Sequence, residues 1–302
     1  MLSYSKSPIK ERKVGKHKVA CFELGKENID LETVTSFGDE WLKFDEFSEE
    51  DIKTAGDQYF DIVGENKLNR DMTALDLGCG SGRWTHYISK KAKRIEAIDP
   101  SEAVFQAAAI HQSLDNVRFS RAGVETIPFE DESFDFVMSL GVLHHIPDTA
   151  KALESLLKKL KPGGYALIYL YYALDNRGFL YRLIFHISTL FRKIISSSPK
   201  FLKHLVCDLI AILVYLPFVG LTKLVQLFGR KLYLKVPLAY YRDKSWNIIR
   251  NDALDRFGTP LEQRFTQAEI QSMLQQSGMD DIEFSNNEPY WHVTARKAAF
   301  DE

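Results

Sequence analysis

From residue 72 onward, short and nearly unbroken apolar runs alternate with stretches of helical spacing, and this alternation leaves few folds open. Thr73–Leu77, Arg94–Ile98, Val117–Ser120, Phe134–Leu140 and Tyr165–Tyr171 read as strands, and Arg83–Lys91, Ala103–Ser113 and Thr149–Leu160 as helices. Strands without a polar face must be covered on both sides, which calls for a parallel sheet between two helical layers. Pro162-Gly163-Gly164 reads as a turn just before the fifth strand. Further on, Thr266 with Glu269 forms a capping pair for a helix that stops at Gly278. Ile282–Ser285 and Trp291–Arg296 then read as a closing antiparallel hairpin. The expected fold class is therefore α/β: a doubly wound, mainly parallel seven-stranded sheet with a C-terminal antiparallel hairpin, carrying one helical insertion.

That insertion, residues 173–261, separates the core segments 71–172 and 262–298; residues 1–70 form an N-terminal segment expected to fold over the core. The 302 residues carry 39 basic and 41 acidic side chains, but residues 175–235 hold ten basic groups against Asp175 and Asp208, a local excess of +8. Leu180, Leu183, Ile184, Ile187, Leu190, Phe191 and Ile194 follow helical spacing, with Arg182, His186, Thr189 and Lys193 opposite them. The longest charge-free stretch, Leu209–Thr222, is interrupted by Pro217 and Gly220 and falls short of the roughly 20 apolar residues that a bilayer span needs. The insertion is expected to be a helical lid or to lie on a membrane surface. Three scattered cysteines make neither a disulfide scaffold nor a zinc cluster, and the N-terminus lacks the apolar run of a secretory signal, so a cytoplasmic setting is expected.

The chemistry concentrates in Leu75-Asp76-Leu77-Gly78-Cys79-Gly80-Ser81-Gly82, between an apolar strand and a helix. Glycines there let the chain turn sharply and let a ligand approach the main chain. The spacing is GxGxG, with an acid two residues ahead, and differs from the GxGxxG of dinucleotide sites. An acid at that point repels pyrophosphate and suits a ligand bearing an ammonium group. Asp99, ending the second strand just over 20 residues on, suits the two hydroxyls of a ribose.

These residues resemble the class I S-adenosylmethionine-dependent methyltransferases, in particular the ubiquinone/menaquinone methyltransferase-like type 11 group. Four segments match in order: Leu75–Gly82; Ile98-Asp99-Pro100-Ser101; Glu125–Asp135, similar to the "LPF–acid–SFD" approach to the fourth strand; and Leu143-His144-His145-Ile146 with Leu160–Gly164. The resemblance covers about residues 70–172 and 262–297, and implies a Rossmann-like sheet with S-adenosyl-L-methionine as cofactor and S-adenosyl-L-homocysteine as product. It implies that Gly78, Gly80 and Gly82 pass under the methionine part. Asp76 would orient the amino group, Asp99 hold the ribose and Pro100 with Ser101 flank the adenine. Leu140 and Gly141 would lie below the sulfonium. Many relatives carry an Asp at the position of Gly123, so here the adenine contact passes to the Val124 backbone or to Glu125.

Methyl transfer from a sulfonium is an in-line displacement that mainly needs positioning, plus a base only when the acceptor must lose a proton. His144 and His145, beyond the fourth strand, are the candidates, one of them facing the acceptor. Trp41, Tyr59, Tyr172, Tyr241 and Arg256 are the candidate acceptor residues, suiting a small, apolar or lipid-like acceptor that reacts through oxygen, sulfur or carbon. The competing reading is a tRNA or protein methyltransferase using the basic stretch; a third is a binding subunit without turnover. Interleaving of those charges with Leu, Ile and Phe favours a lid or peripheral membrane contact through 175–235 over a nucleic-acid track. No metal cluster is expected, and the sequence leaves the oligomeric state open.

Overall fold

The computed structural model describes residues 1–43, 48–175, 178, 189, 191–229 and 232–299. The chain divides into two compact units: Met1–Asn176 with Leu261–Glu302, and Arg177–Pro260.

The first unit is built on a sheet whose middle is parallel: β3 (Thr73–Leu77), β4 (Arg94–Asp99), β5 (Val117–Arg121), β6 (Phe134–Leu140) and β7 (Leu160–Tyr169). β8 (Met279–Phe284) and β9 (His292–Lys297) close one side, β9 antiparallel to β7. Helices α3 (Arg83–Ser89) and α4 (Ala103–Ile110) bury Trp84, Ile88, Val104 and Phe105 in one apolar cluster. In a second cluster, α5 (Thr149–Leu157) and a helix at Gln267–Gln276 bury Leu153, Leu156, Ile270 and Leu274. That last helix begins with the expected Thr266–Glu269 capping box, and Gly278 follows it with φ +76°.

The sheet has nine strands where the sequence suggested seven. β1 (Lys10–Val14) and β2 (His17–Cys21) form an N-terminal hairpin, and β2 runs parallel to β5 through Ala20–Ser120 and Cys21–Arg121. β1 reads Lys-Glu-Arg-Lys-Val and is almost wholly exposed, so no apolar pattern announces it. Its charge suits an edge strand, where it discourages pairing with other chains. The Pro162-Gly163-Gly164 turn lies inside β7: pairing with β6 jumps from Phe134–Leu160 to Phe136–Tyr165, and the extra residues bulge out.

Strand order is β1-β2-β5-β4-β3-β6-β7-β9-β8. The chain moves outward from β3 through β4 to β5, then returns to β6 on the other side of β3. The crossovers of β3 and β6 therefore diverge, leaving a crevice at the carboxyl ends of these strands. Upstream of the sheet lie α1 (Leu31–Lys43) and α2 (Glu49–Tyr59), the latter opened by a Ser48–Asp51 capping box.

The second unit contains one helix over Phe201–Gln226, long and apolar enough to cross a membrane by length and composition. Pro217 and Gly220 do not break it. A π-helical turn, Ala211–Tyr215, precedes the proline, and the Leu216 N–H reaches back to the Ala211 carbonyl. This wider turn relieves the crowding that proline's ring imposes on the preceding turn of an α-helix. Ala211, Tyr215 and Val219 pack against Tyr241, Ile249 and Ala253, the last two on the helix Trp246–Gly258. Of the basic amphipathic helix expected around 180–194, most positions lie outside the described residues; residues 191–196 are helical.

Candidate active site at the carboxyl edge of the sheet

Asp76 is the next-to-last residue of β3, on the side of the strand that meets Thr85 of the helix that follows. It is 1% exposed, and its Oδ2 accepts a hydrogen bond from the Thr85 hydroxyl at 2.5 Å. Burial raises its pKa to about 7 against the Thr85 hydrogen bond, with the charge of Asp99 adding to the rise. A buried carboxylate poised near neutrality is held ready for a cation.

Asp99 closes β4. Its Oδ2 accepts from the Gly80 N–H at 2.9 Å, and its Oδ1 from the Ser101 N–H and hydroxyl at 2.8 and 2.6 Å. One carboxylate thus ties the glycine loop to the start of the next turn. Gly80 itself has φ +53°, and a Cβ there would lie 3.1 Å from the Trp41 indole. Trp41 therefore rests on the glycine loop. Gly38, on the same helix, abuts the Ser101 side chain, so α1 crosses the ends of both β3 and β4.

The loop's own donors decide what it can hold. Gly78 and Cys79 give their N–H groups to the Ile98 carbonyl (2.8 and 3.1 Å), Gly80 to Asp99, and Gly82 to the Cys79 carbonyl (2.8 Å). A phosphate cradle needs such donors turned outward. Here four of them are spent inward and two buried acids stand beside them. The set fits a ligand with an ammonium group and a ribose, and does not fit a pyrophosphate.

Next along the edge, Gly123 follows β5. A Cβ there would meet the Leu24 carbonyl oxygen at 2.0 Å, so the N-terminal strand's continuation passes where a side chain would stand. This is the physical reason no acid occupies the position. Glu125 is engaged by the same passing segment: its Oε2 accepts the N–H groups of Lys26 and Glu27 at 3.0 and 3.2 Å. Val124 is buried, and Pro100 presents its carbonyl to Arg121.

Beyond Leu140, itself buried, a run of rings lines the ends of β6 and β7. Tyr59 meets Trp84 at 4.6 Å and Tyr169 at 5.1 Å; Tyr169 meets Tyr171 at 5.8 Å, and Tyr171 stacks on His144 at 3.9 Å. His144 and His145 lie 4.1 Å apart, and Phe37 of α1 meets His145 at 4.6 Å.

The two histidines differ. His144 is fully buried, and its Nδ1 accepts from the Tyr171 N–H at 3.4 Å, which puts the ring proton on Nε2. Burial holds its pKa well below the usual histidine value, helped by the nearby charges of His145 and Arg264. It is a neutral ring and a poor proton acceptor. His145 donates from Nδ1 to the Leu261 carbonyl at 2.6 Å, which leaves the lone pair on Nε2. That is the tautomer a general base requires.

The structure brings together Trp41, Asp76, the glycines, Asp99, Tyr59, Leu140 and the two histidines. It sends Tyr172 elsewhere, against Tyr290 and Trp291 (5.7 and 6.4 Å). Tyr241 and Arg256 belong to the second unit: Tyr241 is buried in that unit's core, and Arg256 pairs with Asp252 at 3.4 Å. Sequence reasoning overlooked Thr85, Tyr169 and the Leu24 carbonyl. The hydroxyl in the first turn after the loop was a usable signal for Thr85, and the glycine standing in place of an acid hinted at Leu24. Among the described residues, no group of three His, Cys, Asp or Glu is placed to hold a metal ion.

Part of the chain is similar to known proteins. Residues 75–168 match the family described as "Methyltransferase domain". The demethylmenaquinone methyltransferase of Staphylococcus aureus strain MRSA252 is 36% identical over 107 residues, covering 34% of this chain and 44% of that protein. Its counterpart from strain JH9 is 37% identical over the same length, again covering 44% of that protein. The chain thus spans less than half the length of these curated relatives. A crystal structure of a SAM-dependent methyltransferase from Aquifex aeolicus overlaps 84% of this chain and all of that one, at 17% identity and TM-score 0.45.

Proposed function

Starting from a chain whose residues 75–168 form a class I S-adenosylmethionine-dependent methyltransferase domain, we propose that it methylates a small, apolar and planar acceptor. The observation that carries the cofactor assignment is the pair of buried acids, Asp76 and Asp99, flanking a loop whose N–H groups are turned inward. When bound, S-adenosylmethionine supplies a methyl group on a sulfonium whose departure leaves a neutral thioether.

The chain's own residues divide the remaining work. Asp76 meets the amino group, and that cation draws its carboxyl fully into the charged form. Asp99 keeps one lone pair, on Oδ2, for a ribose hydroxyl while bracing Gly80 and Ser101. Val124 and the Gly123 main chain border the adenine, since Glu125 is engaged by the 26–27 turn. Trp41 and the rest of α1 close over the loop and exclude water, which strengthens each of these contacts. Tyr59 and Tyr169 bring aromatic rings to the edge where Leu140 ends β6, which supports an aromatic acceptor such as the quinone for which the matched relatives are named.

His145 is the base: its Nε2 takes the acceptor's proton as the nucleophilic oxygen or carbon forms its bond to the methyl group. His144 positions it, as a neutral ring stacked on Tyr171. Calorimetry with adenosylhomocysteine tests the cofactor half, where binding with one site per chain is expected and the absence of heat overturns the assignment. Methyl transfer to demethylated naphthoquinones and simpler phenols, followed by mass spectrometry, tests the acceptor half.

A further inference from the structure

We infer that the second unit docks on an anionic lipid surface, with the helix Phe201–Gln226 lying in the plane of the membrane. The helix combines a window of mean hydropathy 2.2 with only 28% burial, whereas an apolar helix in a soluble core is mostly covered. Its uncovered residues form one broad face: Leu205, Leu209, Ile212, Leu213, Leu216 and Leu224 are all exposed, Leu213 at 69%. Phe228, just past the helix, is 79% exposed. Exposure of so many large apolar groups on one element marks an interaction surface.

The opposite face explains why the helix lies along the membrane. Ala211, Tyr215 and Val219 are packed in one cluster with Tyr241 and with Ile249 and Ala253 of the helix Trp246–Gly258. That partner carries Arg250, Asp252, Asp255 and Arg256. Arg250 makes a two-pronged bond to Asp208 of the apolar helix (2.8 and 2.6 Å), and the Tyr215 hydroxyl donates to Asp252. Spanning would drag these charges into hydrocarbon at several kcal/mol each, by order of magnitude. Lying flat keeps the pairs on the protein side and places only the apolar face among acyl chains.

Charge identifies the lipid. Lys200 opens the helix, Lys223 is exposed near its end, and Arg230 and Lys231 follow in sequence. Within residues 175–235 the excess is +8. Like charge on that scale opposes pairing with a second copy through the same face and favours a negative headgroup layer. Trp246 and Tyr240, both partly exposed, are the residue types that settle at headgroup depth.

The test is sedimentation of the full chain with vesicles of phosphatidylcholine, with and without phosphatidylglycerol. Binding to the anionic vesicles is expected, falling as salt rises and released by alkaline carbonate. The L213E/F228E double variant, altered only at exposed positions, should bind about tenfold more weakly or worse. It should keep its circular dichroism and its heat with adenosylhomocysteine. Absence of vesicle binding, equal binding by the variant, or loss of binding through self-association measured by ultracentrifugation would overturn the inference. Retention in the membrane pellet after carbonate would overturn the in-plane orientation.

Discussion

The two units spend their polar and apolar groups in opposite ways. In the sheet unit the apolar residues are buried and two acids are buried with them at one edge, where burial raises the pKa of Asp76. In the insertion Arg250 pairs with Asp208 across the seam between two helices, Arg256 pairs with Asp252 along one of them, and many large apolar side chains are left outside. The sheet unit is therefore incomplete in charge and the insertion incomplete in hydrophobic cover. Each shortfall is what the readings proposed above rest on, a cationic nucleoside for the one and lipid for the other.

If this contrast holds, perturbing the sheet unit's edge should cost function while perturbing the insertion's exterior should cost little stability. The largest effect is expected for His145→Gln, which should lower kcat by about 10²–10⁴-fold with little change in KM if it is the base. His144→Gln should cost less, and a rise in rate with pH should survive in it but vanish in His145→Gln. Equal losses in both variants would remove the assignment. Asp99→Ala should weaken adenosylhomocysteine about a hundredfold in calorimetry, since a charge-assisted hydrogen bond disappears together with the brace on Gly80.

Asp76→Asn offers a sign test. With its folded pKa near 7 against 3.8 for a free carboxyl, Asp76 favours the folded state below about pH 4. That contribution is lost as pH rises through 7. The Asn variant should thus be more stable than the parent at pH 8, by an amount on the order of 4 kcal/mol, and unfold at a higher temperature. Ligand affinity shows the reverse trend: it should rise with pH through about 7 in the parent and be weak and flat in the variant. Gly123→Ala should destabilise by about 1–3 kcal/mol, because its methyl group meets the Leu24 carbonyl. Smallest of all, Leu213→Ser should change the melting point by less than about 0.5 kcal/mol equivalent in the absence of lipid.

Much of the sheet unit was legible in the sequence because its strands are buried on both faces. Thr73–Leu77 and Phe134–Leu140 stand where the apolar runs place them. β1 was not legible, since a strand of charges at an edge carries no periodic signal. The acids and glycines of the loop announced themselves through residue type and spacing. The contacts that make the site specific did not, because Trp41 on Gly80, Thr85 on Asp76 and Leu24 on Gly123 depend on where separate segments cross. In the insertion, Pro217 and Gly220 suggested an interruption, and only the π-turn before them shows how one helix continues.

The inward-facing amides of the glycine loop bear on selectivity inside a cell. ATP and the nicotinamide nucleotides share the adenosine half of the proposed ligand and are abundant, so recognition of adenosine alone would leave such a site occupied by the wrong molecules. Satisfying the loop's donors at Ile98, Asp99 and Cys79 leaves a triphosphate tail facing two acids with little to compensate it. On the proposed reading, discrimination against the common nucleotides rests on the backbone's own bonding, before any acceptor arrives.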